Sequence, residues 1–247
     1  MVESMNAKSK KILLITMVVI FLVGMGLCLY PYVNGVRLSS QLHQQSKLFL
    51  SRQVRPDPGN TSPAHAADPL SELRQKAAAY NETIFEQNQA LFCSAEAYER
   101  PAFLLSNYGL DSETFAVISI PAIDLEMPVY LGANAENLAV GAAHMTQTSL
   151  PIGGDNTNCV IAGHRGWKGA DYFRRITSLK VGDQVIITNL WETLTYHVVE
   201  KKTIYSSESP DLYIQPGKDL LTLLTCDYGA DGVKFRCLVI CQRAADT

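Results

Sequence analysis

The sequence predicts a mainly β domain that follows N-terminal helices and one transmembrane segment. Three features of the chain predict this class: an uncharged apolar run near the N-terminus, helically spaced apolar residues up to Phe92, and short apolar segments from Thr114 onward. Glycine and proline separate the short segments. That punctuation is typical of a β-barrel or β-sandwich rather than of a βαβ sheet.

Overall composition is that of a folded protein without a strong charge. Of the 247 residues, 47% are hydrophobic and 18% are charged, and the formal net charge is −3. Nucleic-acid binding would require a basic excess clustered on one face. The sequence therefore indicates no nucleic-acid partner.

The apolar run extends from Ile12 to Tyr30 and contains no charged residue. It is close to the ~20 residues that a helix needs to cross a bilayer. Three lysines lie in the preceding residues 1–11, which predicts a cytoplasmic tail and a translocated remainder. A cleaved signal peptide is the alternative, but it would have a shorter apolar region and a small-residue cleavage site. We therefore expect an uncleaved, single-pass anchor over 12–30 with everything after it outside the cytoplasm.

The next part of the chain, 31–110, is predicted to be a helical linker. Leu38, Leu42, Leu48 and Phe49 fit a loose helical period, so a short helix should follow the span. Residues 56–69 contain four prolines and little apolar surface, which indicates an exposed loop. A second helix should then begin with Asp68 as its N-cap and Pro69 in its first position.

The remainder, 111–247, carries the β pattern. Between Ala170 and Ile176 we expect one or two helical turns. Seven strands are predicted: Phe115 to Ile120, Met127 to Leu131, Asn158 to Ala162, Gln184 to Asn189, Leu194 to Thr203, Leu220 to Thr225, and Phe235 to Ile240.

Two of these strands end on residues that could carry chemistry. Cys226 follows the strand Leu220 to Thr225, and His164 follows the strand Asn158 to Ala162. A thiol at a strand end can be exposed and reactive, whereas a buried one is inert. An imidazole can exchange a proton with a thiol and with an amine near neutral pH. Arg236 alternates with Cys237 along the last strand, so the two side chains should point to opposite faces.

The six cysteines show no spacing that indicates a cofactor. The chain contains no C-x-x-C pair, and a metal site built from His144, His164 and Cys226 has no recognised ligand spacing. We expect neither a metal nor another cofactor.

Taken together, these residues resemble the sortase family. Thr222-Leu223-Leu224-Thr225-Cys226 is similar to the family's T-L-x-T-C signature, Arg236 follows ten residues later, and His164 lies upstream in a G-H-R-G context. The resemblance covers Phe115 to Arg243. Four further segments resemble the pilin-polymerising class C members: Gly141 to His144, Thr148 to Gly154, Val160 to Gly166, and Leu179 to Asp183.

The resemblance implies an eight-stranded antiparallel β-barrel and a transpeptidase. Cys226 would attack the threonine carbonyl of an LPxTG-like sorting signal, and Arg236 would stabilise the oxyanion. His164 would protonate the leaving amine and deprotonate the incoming one. The partners implied are surface or pilin proteins that carry sorting signals, and an amine from a pilin lysine or a cell-wall precursor. His144 and Arg165 also fit family patterns and are interpreted as structural.

A lid over the thiol is a further expectation from the resemblance. Class C members usually carry an Asp-Pro-aromatic triplet in a loop upstream of the barrel, and Asp68-Pro69-Leu70 occupies that place without the aromatic residue. We therefore predict a lid over 56–70 with Asp68 near Arg236 and Leu70 near the sulfur of Cys226. Asp57-Pro58-Gly59 is a second candidate, and a simple helix cap at Asp68 is the alternative.

Other functions stay open at this point. Most class C members also have a C-terminal membrane span, whereas this sequence has a polar tail up to Thr247. A single N-terminal anchor is the arrangement of housekeeping sortases, which attach proteins to peptidoglycan. A non-catalytic, membrane-anchored binding module would hold Cys226 as an inert thiol. An L,D-transpeptidase is disfavoured because that family places its histidine close before its cysteine, and here Cys226 lies far from His164 in the sequence.

Overall fold

The computed structural model describes residues 7–53, 69–90, 98–205, 210–228 and 234–244. Asp57, Asp68 and most of the predicted lid lie outside these ranges. The helices are α1 (Ala7–Gln53), α2 (Pro69–Glu86) and α3 (Ala135–Val140). The strands are β1 (Thr114–Ile120), β2 (Leu125–Leu131), β3 (Ala142–His144), β4 (Thr157–Ala162), β5 (Gln184–Asn189), β6 (Thr193–Tyr205), β7 (Asp219–Tyr228) and β8 (Lys234–Arg243).

Helix α1 is longer than the sequence pattern indicates. The predicted span and the helix expected after it form one continuous α-helix of 47 residues, with Pro31 inside it. Within the described part of the chain, this is the one helix long and apolar enough to cross a membrane. Its second half packs along β2 and β1, because Leu38 and Leu42 supply the apolar contacts to the barrel.

The eight strands form a closed barrel in the order β1-β2-β3-β4-β7-β8-β6-β5, which confirms the predicted eight-stranded fold. The expectation of a wholly antiparallel barrel is wrong. The pairs β2–β3 and β4–β7 are parallel. Parallel neighbours need a crossover connection. Here α3 lies in the first crossover, and the second runs through β5 and β6.

All seven strands predicted from the sequence occur, with ends that differ by a few residues. The eighth, β3, has only three residues, too few for an alternating pattern to be visible. The turns expected near Ala170 form a 3₁₀ helix over Tyr172–Ser178.

Strand direction defines two ends of the barrel. At the end that we call the site end, β4 and β7 finish and β8 begins. At the opposite end, which we call the far end, β7 begins at Asp219, and β5 and β6 are joined by a turn at Leu190–Glu192. The main apolar core contains residues from all eight strands and from α2.

Candidate active site

Cys226 lies near the end of β7, directly opposite Arg236 in the antiparallel pair with β8. Residues directly opposite each other in such a pair share a face of the sheet, with Cβ atoms ~4.5–5.5 Å apart. The Cys226 side chain is exposed and Arg236 is half-buried. The guanidinium can therefore reach the space above the sulfur.

His164 comes to the other side of Cys226 because β4 runs parallel to β7. The register pairs Ala162 with Leu224. It continues one residue further, since the backbone N–H of Gly163 donates to the Leu224 carbonyl (3.0 Å) and the Thr225 hydroxyl donates to the Gly163 carbonyl (2.8 Å). The next residue, His164, follows the end of β4 and is thus level with Cys226, with the two backbones about one strand spacing (~4.8 Å) apart. The structure brings together the three residues predicted from the sequence.

Gly163 has a packing role directly before the histidine. A Cβ atom at this position would lie 2.7 Å from two carbon atoms of the Phe173 ring, which is fully buried in the main core. Real Cβ contacts are not that short. The backbone of β4 can therefore lie against the Phe173 ring only when residue 163 has no side chain.

The imidazole of His164 is partly covered by aromatic rings. Trp167 stacks on it with a centroid distance of 4.3 Å and an interplanar angle of 11°, and Tyr172 lies 6.3 Å away in a tilted arrangement. Burial lowers the pKa of His164 below its usual value. Because the covered ring is harder to charge, the neutral imidazole is favoured, and this form can accept a proton from a thiol.

The other described thiols of the barrel differ from Cys226. Cys159, Cys237 and Cys241 are buried in the main core, whereas Cys226 is exposed. Burial raises the pKa of Cys241 to about 12 and also raises the pKa values of Cys159 and Cys237. Thiolate formation is therefore suppressed at all three. Cys237 and Arg236 lie on opposite faces of β8, as alternation predicts.

A buried apolar cluster lies beside the thiol on the outer face of the sheet. Leu224 lies two residues before Cys226, and Leu238 lies two residues after Arg236. Since side chains alternate along a strand, both leucines share the face of Cys226 and Arg236. They belong to a second apolar cluster, separate from the main core. Its other members include Val160, Ala162, Ile204, Leu212 and, at its edge, Tyr213.

Leu70 does not lie near the sulfur, so this part of the lid prediction is wrong. Its carbonyl oxygen accepts a hydrogen bond from the indole N–H of Trp191 (3.3 Å), in the turn between β5 and β6. That turn is at the far end of the barrel. Leu70 shares a surface pocket with Phe49 and Thr114, which belong to the same end. The reason is the direction of α2, which begins at the far end because Leu73 and Ala77 are buried in the main core there.

His144 is separate from the candidate site. It is fully buried, and its Nε2 lies 3.1 Å from the Thr148 carbonyl oxygen. Burial lowers its pKa to about 4. Its strand partner is Ile161, three residues before His164. His144 therefore does not join His164 and Cys226, and the described residues contain no group of three or more metal-binding side chains.

Two contributors to the site were not predicted from the sequence. Trp167 covers the imidazole, and the Thr225 hydroxyl donates to the carbonyl of Gly163, the residue before His164. An aromatic residue three positions after a candidate histidine is visible in the sequence. Its stacking depends on the backbone shape of the turn at Arg165–Gly166, and the sequence indicates a turn there but not its shape.

Comparisons with known proteins agree with this geometry. A family model described as the sortase domain matches residues 118–244, just over half of the chain. The chain is similar to sortase D of Bacillus subtilis, with 30% identity over 44% of this chain and 52% of that protein. It is also similar to sortase A of Bacillus anthracis, with 31% identity over 58% of this chain and 67% of that protein. The chain thus spans between about half and two thirds of the length of these two relatives.

Solved structures give a broader match. Sortase C-1 of Streptococcus pneumoniae aligns with a TM-score of 0.66 and 31% identity, over 83% of this chain and all of that one. Sortase C1 of group B Streptococcus pilus island 1 aligns with a TM-score of 0.65 and 28% identity, over 83% of this chain and 93% of that one.

Proposed function

The chain belongs to the sortase family of cysteine transpeptidases, and on this basis we propose that it cleaves an LPxTG-like sorting signal between threonine and glycine and joins the threonine to an amine. The observation that carries the proposal is the register of the barrel. Cys226 is level with His164 on one neighbouring strand and with Arg236 on the other. A nucleophile, a proton acceptor and an oxyanion stabiliser are the groups that acyl transfer needs.

In the first half of the reaction, His164 takes the thiol proton and the Cys226 sulfur attacks the threonine carbonyl carbon. Negative charge develops on the carbonyl oxygen, and the guanidinium of Arg236 stabilises it. The carbon–nitrogen bond then breaks, and the imidazolium gives its proton to the leaving glycine nitrogen. The product is a thioester on Cys226. Partial burial of His164 suits this step because it weakens the hold of the imidazole on the proton.

In the second half, an amine attacks the thioester carbon. His164 accepts the proton that the amine loses, the amide bond forms as the carbon–sulfur bond breaks, and the imidazolium returns a proton to the Cys226 sulfur to regenerate the thiol. Two easier steps thereby replace one direct exchange of amides.

A pilin lysine is the amine that we propose. The structural neighbours that align over 93% or more of their length include two class C sortases, one of them from a pilus island. The alternative is a housekeeping function, supported by the 31% identity to sortase A of Bacillus anthracis, in which a peptidoglycan precursor supplies the amine. Competition between a lysine peptide from a pilin and a cell-wall peptide amine, with the products identified by mass spectrometry, separates the two functions.

The protein is proposed to be a single-pass membrane protein with residues 1–11 in the cytoplasm and 12–30 as its anchor. The helix α1 supports this arrangement, since the surface of its first part is apolar and exposed. Residues 31–110 link the anchor to the catalytic barrel, 111–247. Of the predicted lid over 56–70, residues 56–68, with Asp68 among them, lie outside the described residues, and a lid formed by them stays a prediction.

The test of the mechanism is covalent capture of a sorting-signal peptide. Wild-type protein should gain the mass of the acyl fragment, and the adduct should be cleaved by hydroxylamine, which attacks thioesters. Cys226→Ala should form no adduct and release no glycine fragment. Cys241→Ala is the matched control, because that thiol is buried in the core, and it should retain the adduct. Cleavage by Cys226→Ala at the wild-type rate would refute the mechanism and favour the non-catalytic binding module.

A further inference from the structure

The membrane-proximal part of α1 contacts the loop that follows His164. The side-chain amide of Asn34 donates to the carbonyl oxygen of Lys168 at 2.9 Å. Gly35 is buried, although Val33 and Val36 on the same helix are exposed, because Gly169 lies against it. The helix that carries the proposed anchor is thus in direct contact with the active-site loop.

Two glycines allow this contact. A Cβ atom on Gly35 would overlap the carbonyl group of Gly169, and a Cβ atom on Gly169 would overlap the carbonyl oxygen of Pro31. Gly169 also has a φ of +91°, which other residues rarely adopt. The two backbones therefore touch without intervening side chains. Contact this close sets the position of the loop relative to the helix axis.

The height of the loop above the bilayer follows from the helix itself. The apolar run ends at Tyr30, and a helix rises 1.5 Å per residue, so Asn34 lies ~6 Å beyond that end. The head-group layer is ~5–8 Å thick on each side of the hydrocarbon core. Tyr30 and Tyr32 are 69% and 73% exposed, and tyrosines at this depth are typical of the membrane interface.

The side chains of the loop suit the same depth. Trp167 has an apolar ring with one polar N–H, and Lys168 is exposed, with its ammonium 5.4 Å from the Trp167 ring centroid. Tryptophan is enriched at head-group depth, and a lysine there can contact lipid phosphates.

We propose that the site end of the barrel lies on the bilayer surface, with the loop Arg165–Ala170 in the head-group layer and the thiol open toward it. The partner of this surface is the leaflet from which α1 emerges. Because Trp167 stacks on His164, the Trp167 ring separates the imidazole from the lipid surface that the loop contacts. Cys226 lies one strand spacing beyond His164. The proposal rests on the membrane anchor assigned under the proposed function and adds the direction that the site faces.

A tryptophan at the far end of the barrel provides a reference for the height of Trp167 above the membrane. The chain contains two tryptophans, and Trp191 lies in the turn between β5 and β6. The neighbouring Leu190 shares a pocket with Phe49 of α1. At 1.5 Å per residue, Phe49 is ~28 Å along the helix beyond Tyr30. Trp167 and Trp191 should thus differ by about 20 Å in height above the membrane.

The test is energy transfer from each tryptophan to a dansyl group on lipid head groups. Full-length Trp191→Phe and Trp167→Phe proteins are reconstituted into phosphatidylcholine–phosphatidylglycerol vesicles with the dansyl lipid in both leaflets. Trp167, alone in the first variant, should transfer strongly, and Trp191, alone in the second, should transfer weakly. Equal transfer, or stronger transfer from Trp191, would overturn the proposal.

A helix insertion provides the matched control. Seven polar helix-forming residues placed between Tyr30 and Pro31 would raise the barrel by ~10 Å with almost unchanged rotation, and would leave Pro31, Gly35 and Gly169 in contact. In the Trp191→Phe background, transfer from Trp167 should fall; unchanged transfer would contradict the proposed height.

Thioester formation with a soluble sorting-signal peptide is measured on the same vesicles, without substitution of either tryptophan. Adduct formation together with equal transfer from both tryptophans refutes only the orientation. Absence of adduct together with strong transfer from Trp167 refutes only the proposed function.

Discussion

Removal of the Thr225 hydroxyl should separate catalysis from stability. Thr225 is fully buried on β7, and its hydroxyl donates to the carbonyl of Gly163, the residue before His164. Thr222, on the same strand, is also fully buried, and its hydroxyl donates to the Asn158 side-chain oxygen at 2.9 Å. Thr→Val keeps the shape of the side chain and removes the donor. The two positions therefore form a matched pair, one at the site and one ~10 Å along the strand.

Both substitutions should lower the free energy of unfolding by a similar amount. Each leaves a buried oxygen without its donor, which costs ~1–3 kcal/mol. Only Thr225→Val loosens the junction that keeps His164 level with Cys226. A displacement of ~1 Å in a catalytic group can cost ~100-fold in rate, so we expect kcat/KM to fall roughly 10- to 100-fold in Thr225→Val and less than threefold in Thr222→Val.

Two measurements on full-length protein in detergent check this expectation. Urea denaturation compares the stability of the two variants, and cleavage of a quenched fluorescent sorting-signal peptide gives kcat/KM at a temperature where both are folded. Equal kcat/KM in Thr225→Val and Thr222→Val would refute the argument that this hydrogen bond positions the histidine. A loss of stability in Thr225→Val alone would refute the argument that the two bonds are equivalent.

Three further predictions concern charge and protonation. Arg236→Ala should remove ~3–4 kcal/mol of transition-state stabilisation, measured as the corresponding fall in kcat/KM. Near-normal kinetics would show that Arg236 does not stabilise the oxyanion. Trp167→Ala should expose His164 and raise its pKa toward the usual value, so that the acid limb of the kcat/KM profile moves to higher pH; an unmoved limb would mean that Trp167 does not cause the shift. His144, with a pKa lowered to about 4, takes up its proton more readily in the unfolded chain. The free energy of unfolding should therefore fall by roughly 3 kcal/mol as pH drops from ~6.5 to ~4, and His144→Gln, followed by urea denaturation across this range, should reduce that dependence.

Most strands of the barrel could be predicted because each is long enough for its side-chain pattern to be recognised in the sequence. Gln184–Asn189 was predicted to the residue, and the other predicted strands differ at their ends, where pairing rather than side-chain pattern decides the limit. The strand β3 was missed because three residues between α3 and a turn carry no period. Parallel pairing of β4 with β7 was missed because it joins segments that are far apart in the sequence.

The predicted lid shows the opposite case, in which local sequence order was a poor guide to position. Pro69 and Leu70 do begin a helix, as the capping signal indicates. Where that helix lies on the barrel depends on which of its side chains are buried. Leu73 and Ala77 hold it against the main core, and Leu70 consequently contacts Trp191 at the far end instead of the sulfur.

The sequence by itself determined the apolar segment 12–30, the strand-end positions of Cys226 and His164, and the opposite faces of Arg236 and Cys237, since each depends on residues that are neighbours along the chain. The tertiary structure alone decided that β4 and β7 lie side by side, that Trp167 covers His164, and that α1 touches the loop at Gly169. These contacts join residues far apart in the chain or depend on a turn of defined shape. Close packing of the barrel and the absence of side chains at Gly35, Gly163 and Gly169 bring them about, and no local periodicity encodes them.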